Sequence, residues 1–249
     1  MDKILLYPVG TTAACRYAAQ FLRSGGIALT DHPAPEVTHL LLDIPSFSPG
    51  GSLRDGGDLP SLLRMLPPDI TIIGGSLQVP LLAKKHTLDL LQDPFYLSRN
   101  AAITAECALR VAFPKMDYIL SSAPCLVIGW GRIGKCLGAL LKAMGADVTI
   151  AARKESDRAM AQALGFQAVD LLSLPNALPQ YRLLFNTVPT LILNRQQLSL
   201  CRDCLKIDLA STPGLEGEDV VTAKGLPGVY APESSGKLIA DTLITLLHL

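Results

Sequence analysis

Apolar residues fall in short runs separated by glycine, proline and polar turns, and the runs alternate between two periods. Residues 4–7 form a continuous run of strand type. Residues 11–23 repeat at helical spacing, with Thr11 or Thr12 as cap and Gly25-Gly26 as stop. Strands are predicted over 27–30 and 39–43. Residues 44–60 are rich in Pro, Ser and Gly and read as a long loop, a length usually tied to function or mobility. A brief helix over 59–66, a buried strand over 69–74, a short helix over 79–85 and a strand over 88–91 complete a small α/β unit. From Asn100 to Met116 the pattern is helical, and Ala101, Ala102, Ala105, Ala108 and Ala112 favour that state.

A second unit follows with a more regular rhythm. Strand 126–128 leads to helix 132–144, with Gly145 as its stop. Strand 148–152 is followed by helix 155–164, closed by Gly165. Strands 166–169 and 183–186, helix 195–200 and strands 205–209 and 229–231 come next. Ser234 is the expected cap of a final helix reaching 247. Such alternation calls for parallel strands with right-handed crossovers. The fold class is therefore α/β with two domains, a doubly wound parallel Rossmann sheet and a smaller flavodoxin-like domain. The expected division is 1–97 for the small domain, 98–120 for a connector helix, 121–233 for the Rossmann domain and 234–249 for a C-terminal helix able to pack back on the first domain.

The 249 residues carry 22 basic and 22 acidic side chains, which removes the electrostatic case for nucleic acid as a partner. With 49% hydrophobic residues a full core is available. No apolar run reaches the roughly 18 residues a membrane helix needs. The opening Met-Asp-Lys-Ile-Leu-Leu-Tyr-Pro is too short and too broken for a signal peptide, so a cytoplasmic location is expected. The six cysteines are scattered through apolar segments, as buried thiols are. Cys201-x-x-Cys204 has the spacing of a redox pair or half a metal site. No second pair and no nearby His completes it, so a helix end before the next strand is favoured and no metal is expected.

The chemistry concentrates at Gly129-Trp-Gly131-Arg132-Ile133-Gly134, between a strand and a helix. Gly129 permits the tight turn, Gly131 lets a pyrophosphate approach the backbone, and Gly134 lets helix and strand pack closely. A dinucleotide is the expected ligand. NAD sites place a carboxylate at the end of the next strand. Here Asp147 lies at the wrong end, and the far end reads Ala152-Arg153-Lys154. Two cations suit a 2′-phosphate, so NADP is expected over NAD, with Ser156 as a further donor. The plain alternative is a solvated basic loop. Asn186, Thr187, Val188, Pro189 and Ser211 fall at later strand ends, where they could meet the ribose and amide or simply form turns.

Several ordered blocks carry a resemblance: Asn100-Ala-Ala-Ile-Thr104-Ala-Glu106, the 129–134 turn, Gly-Ala-Asp-Val-Thr-Ile-Ala-Ala-Arg153, Phe-Asn186-Thr-Val-Pro189, Asp208-Leu-Ala-Ser211-Thr-Pro213-Gly214 and Gly225-Leu-Pro227-Gly228-Val-Tyr-Ala-Pro232. Together they resemble the A-subunit family of dipicolinate synthase over about 90–249, with a weaker match before that. The resemblance implies a two-domain, NADP-linked oxidoreductase of sporulating bacteria. It would convert a dihydrodipicolinate-type ring, a small dicarboxylate, to dipicolinate beside a flavoprotein-like B-subunit. A homo-oligomer is also expected. Thr212 stands where the family pattern has an Arg and Glu233 where it has a Lys. Both differences remove positive charge, which keeps open a related dehydrogenase of another carboxylic or imino acid, or a non-catalytic NADP-binding subunit. Candidate substrate contacts are Asn100 and Thr104, one helical turn apart, and Ser234 and Ser235 at the final helix, with Arg99 and Lys237 as weaker carboxylate partners. Glu106 points elsewhere on its helix. None of His32, His39, His86 or His248 is placed for acid–base work, so the catalytic residues remain unassigned.

Overall fold

The computed structural model describes residues 4–48, 50–54 and 56–248. The first three residues, Pro49 and Asp55 within the 44–60 loop, and Leu249 lie outside the described residues. The chain divides into two compact units, Met1–Asn100 with Pro227–Leu249, and Ala101–Leu226.

In the first unit the strands are β1 (Leu5–Pro8), β2 (Ala28–Leu29), β3 (His39–Leu41), β4 (Thr71–Gly74) and β5 (His86–Asp89). Among the described residues they form one parallel sheet in the order β2-β1-β3-β4-β5, the flavodoxin-like arrangement. Helix α1 (Ala13–Ser24) follows β1, and α2 (Leu59–Arg64) precedes β4. Val37, Leu40, Leu42, Ile70 and Ile72 build one core cluster. The 44–60 loop is not structureless, because Phe47 bridges Leu53 and Leu53 is buried. The predicted helix over 79–85 is only a 3₁₀ turn, Pro80–Leu82.

Helix α3 (Pro94–Ala112) carries the chain from the first unit into the second. It starts at a proline, which suits a first helical turn because its missing N–H has no partner there. The second unit contains β6 (Pro124–Ile128), α4 (Arg132–Ala143), β7 (Asp147–Ala151), α5 (Glu155–Ala163), β8 (Gln167–Val169), α6 (Leu174–Ala177), β9 (Leu183–Asn186), α7 (Arg195–Leu198), β10 (Leu205–Asp208) and β11 (Val220–Thr222). Its described strands are all parallel, in the order β11-β10-β9-β6-β7-β8. Counted from β6, this is the Rossmann order 6-5-4-1-2-3, and chain direction reverses its spread between β6 and β9. The α/β class with two parallel sheets is as the sequence predicts.

Two helices close the chain, α8 (Leu226–Tyr230) and α9 (Pro232–Leu246). Of the strand predicted over 229–231, Val229 and Tyr230 instead end α8, and Ala231 is the non-helical residue before α9. Pro227 sets a helix-compatible φ in the first turn, and Val229 is 70% exposed, so no sheet contact rewards its β-branch. The sixth strand is instead β11, which the charged approach Glu216-Gly-Glu-Asp219 conceals. Ser234 is not the final helix's cap either. Ala231 holds that position with no side-chain bond, and Ser234 lies inside the first turn. Helix α9 packs on α1 at Gly236. A Cβ there would stand 2.6 Å from the Ala14 carbonyl oxygen and 2.8 Å from the Ala18 nitrogen.

Candidate nucleotide-binding site

The site begins where β6 ends. Gly129 has φ +103°, a conformation a side chain would strain, and its amide donates to the Ala151 carbonyl at 2.8 Å. A Cβ there would also run into the Thr187 hydroxyl and stand 2.9 Å from Val188 Cγ2. Gly134 faces the Gly129 carbonyl so closely that a Cβ would overlap it. Gly131 differs from both, since nothing lies within 4 Å of its Cβ direction. It is also the N-cap of α4 and offers no side chain to the helix's first amides. Lys135 N donates to Gly131 O at 3.0 Å and closes the first turn. The amides before it have no intrahelical carbonyl to bond, and they lie at the positive end of the helix dipole, next to the open Cβ direction of Gly131. That combination is a cradle for an anion.

Trp130, inside the turn, is turned inward. It is 7% exposed and meets Phe166 edge-on with ring centroids 5.5 Å apart. Its indole N–H has no hydrogen-bond partner. Arg132 is exposed at the head of α4, and Ile133 is half-buried behind it.

The end of β7 lies beside this cradle through the β6–β7 pairing of Ile128 with Ala151. Ala152 is buried, and Arg153, Lys154 and Ser156 are exposed. Asp147 opens β7 at the opposite end of the strand, so no carboxylate occupies the position that would read a ribose 2′-hydroxyl.

The ends of β9 and β10 form a closed polar knot. Asn186 is fully buried and its amide nitrogen donates to the Val188 carbonyl at 3.0 Å and to Asp208 Oδ1 at 2.9 Å. Asp208 also accepts from Ala210 N at 3.0 Å, Gly214 N at 2.7 Å and Leu215 N at 3.0 Å. Both amide hydrogens of Asn186 are thus engaged within the protein, and its part at this site is to shape the 186–189 turn. The Thr187 hydroxyl donates to Ile128 O at 2.9 Å and covers Gly129. Pro189 and Ser211 are exposed at the rim, as is Thr212. Sequence reasoning missed Asp208 as the organiser of this knot. Its signal was a buried acid at a strand end with a glycine six residues on, ready to bring an amide to it.

The remaining candidates lie on other elements. Asn100 and Thr104 are on α3, Thr104 buried, and both have polar partners. Ser234 is exposed on α9. Ser235 is 5% exposed, its amide donates to Ala231 O at 3.0 Å, and its hydroxyl has no partner. Glu233 sits in the first turn of α9, where a carboxylate complements the dipole. Cys201 and Cys204 are buried free thiols. The hydrogen bond from Cys204 lowers the Cys201 pKa, and the same bond together with burial raises that of Cys204. Among the described residues, no group of three or more His, Cys, Asp or Glu could hold a metal ion, and no helix is long and apolar enough to cross a membrane.

Two doubly wound units with a glycine turn in the second define a two-domain protein of the Rossmann-type fold class. The fold is similar to that of an L-alanine dehydrogenase, with a TM-score of 0.65 and 11% identity over 98% of this chain and 80% of that one. More particularly, the chain is similar to the A-subunit of dipicolinate synthase from Bacillus subtilis (strain 168), with 29% identity over 174 residues. That match spans 66% of this chain and 59% of the relative's own length, under two thirds of it. The crystal structure of the dipicolinate synthase A chain from Bacillus subtilis matches with a TM-score of 0.82 and 21% identity, over 100% of this chain and 97% of that one. No family model matches the chain. The resemblance read from the sequence blocks is thus borne out in sequence and in fold.

Proposed function

We propose that the chain is an NADP-dependent oxidoreductase that oxidises a dihydrodipicolinate-type ring to dipicolinate. The observation that carries the cofactor half is the open Gly131–α4 cradle beside Arg153 and Lys154, with no carboxylate at the end of β7. In this reading the α4 amides and Arg132 hold the pyrophosphate. Arg153 and Lys154 take the 2′-phosphate, and Val188, Pro189 and Ser211 border the nicotinamide half. The cofactor, when bound, supplies the hydride acceptor. The substrate half rests on the relative's name, dipicolinate synthase. Loss of a hydride and a proton leaves an aromatic ring, so positioning carries much of the rate. Asn100, Thr104 and Ser234 stay candidates for holding the dicarboxylate. The buried hydroxyl of Ser235 needs a local opening before it could join them. A flavoprotein-like B-subunit as partner, homo-oligomeric assembly and a cytoplasmic role in sporulation belong to the same proposal.

One observation favours a second reading, in which the chain binds nucleotide without catalysis of its own. Thr212 and Glu233 are exposed and uncharged or acidic where a dicarboxylate would call for cations. One experiment separates the two. Trp130 is the sole tryptophan and lies inside the glycine turn, so its emission reports occupancy directly. Titration should show NADPH binding tighter than NADH, by roughly tenfold or more for one well-held phosphate group. Tighter NADH binding rejects the cofactor assignment. Addition of NADP and the ring substrate should then give the pyridine absorbance. NADP binding without product selects the non-catalytic reading.

A further inference from the structure

Arg158 lies on α5 just behind the loop that presents Arg153 and Lys154. Its side chain is only 22% exposed, and one nitrogen, Nη1, makes three contacts. It donates to the Ala152 carbonyl at 2.9 Å and to the Arg153 carbonyl at 2.8 Å, and it stands 2.5 Å from Asp170 Oδ2. Asp170 follows β8 and is itself fixed. Its Oδ1 accepts from Leu172 N at 2.8 Å, and its carbonyl accepts from the Ser173 hydroxyl at 3.0 Å. From the other side, Ala152 N donates to Val169 O at 3.1 Å. The turn after β7 is therefore pinned to β8 by its backbone and to α5 by a charged peg. The two cations it carries stay exposed.

We propose that Arg158, held by Asp170, is the positioning residue that sets the preference for a 2′-phosphate over a 2′-hydroxyl. The proposal rests on the NADP reading above and assigns to that site a residue which does not touch the nucleotide itself. Two effects act in the same direction. Capping the 152 and 153 carbonyls removes two negative dipole ends from the neighbourhood of a phosphate dianion. Fixing the turn also removes its conformational freedom before binding, so Arg153 and Lys154 need not be ordered at the cost of affinity. A nucleotide without the phosphate gains from neither effect, so the ratio of affinities moves and not only their level.

The test measures dissociation constants for NADP and NAD through Trp130 emission in the full chain. Arg158→Met keeps the aliphatic bulk and removes the charge. It should weaken NADP by about tenfold and leave NAD within about twofold. Arg158→Lys, which can still reach one carbonyl, should restore part of the ratio, and Asp170→Asn should fall between the two. Because Arg158 acts in part through the loop that holds Arg153, Arg153→Ala with Arg158→Met should lose less than the two single losses multiplied together. A wild-type preference for NADP that survives Arg158→Met overturns the inference and spares the cofactor reading. So does equal weakening of both nucleotides, the signature of a purely structural residue. If Arg158→Met fails to fold, an unchanged ratio in both Arg158→Lys and Asp170→Asn overturns it equally. Wild-type protein that binds NAD at least as tightly overturns the cofactor reading and this inference with it.

Discussion

Three glycines in one hexapeptide are chemically identical and do three different things, and the surroundings of each missing Cβ tell them apart. Gly134 has the Gly129 carbonyl in its way, whereas Gly131 has nothing. The first excludes a side chain to let the chain pack against itself, and the second leaves space for something else. Gly131→Ala should fold with a stability change within about 1 kcal/mol, because φ is −77° and only an N-cap preference is lost. Its NADPH affinity should nevertheless drop by roughly tenfold or more as the methyl enters the cradle. Gly134→Ala should instead lose stability by about 1–3 kcal/mol from forced overpacking. Urea midpoints set against NADPH titrations distinguish these outcomes, and equal affinity in Gly131→Ala and wild type would remove the pyrophosphate from this turn. The spacing of the glycines was legible in the sequence. What was not legible is that Asn186 is engaged internally, because hydrogen bonds to Asp208, 22 positions away, depend on the pairing of β9 with β10.

Elements were readable where burial and propensity agree. β6, α4, β7 and α5 lie within a residue or two of where apolar period, glycine stops and strand alternation place them. Disagreement came where a short apolar stretch had two ways to be satisfied. Val229 and Tyr230 carry strand-type side chains but follow Pro227 in a short helical turn, so the backbone chooses helix there. β11 has three residues on the edge of its sheet, too few for a period to show. The C-terminal helix was expected to be able to pack back on the first domain, but its partner α1 was not legible, since a long stretch of chain separates the two and only Gly236 marks the contact. Filling that glycine should be costly at the level of the whole element. Gly236→Val puts carbon against the backbone of Ala14 and Ala18, atoms that cannot rotate away. A loss of more than about 2 kcal/mol is expected, at the upper part of the overpacking range. A urea midpoint unchanged from wild type would mean that α9 does not pack on α1 at this residue.

On the scale of the whole molecule, two doubly wound sheets both offer a strand, a turn and a helix N-terminus, so the location of the nucleotide needs a reason. The first unit answers with a residue of its own. Asp43, 4% exposed after β3, places its carboxylate at the head of α1. It accepts from Thr11 N at 3.0 Å, from Thr12 N at 3.0 Å and from the Thr12 hydroxyl at 2.5 Å. A Cβ on Gly10 would stand 2.7 Å from that same carboxylate, so the turn is already filled by protein. The anion-binding end of α1 is neutralised from within, whereas that of α4 is left open by Gly131. A phosphate brought to α1 would meet a negative charge that already holds the Thr11 and Thr12 amides, with Cys15 N taken by the Thr12 hydroxyl. Hydrogen exchange should read this asymmetry directly. With NADPH in excess, protection should rise over 129–135 and 152–158 and stay unchanged over 9–15. The global stability gain should follow ligand concentration, about 2.7 kcal/mol at one hundred times the dissociation constant. Protection of 9–15 that exceeds that of 129–135 would place the nucleotide on the first sheet. The physical account would then have to begin from Asp43 leaving its amides, at the cost of unpairing a buried carboxylate from three donors.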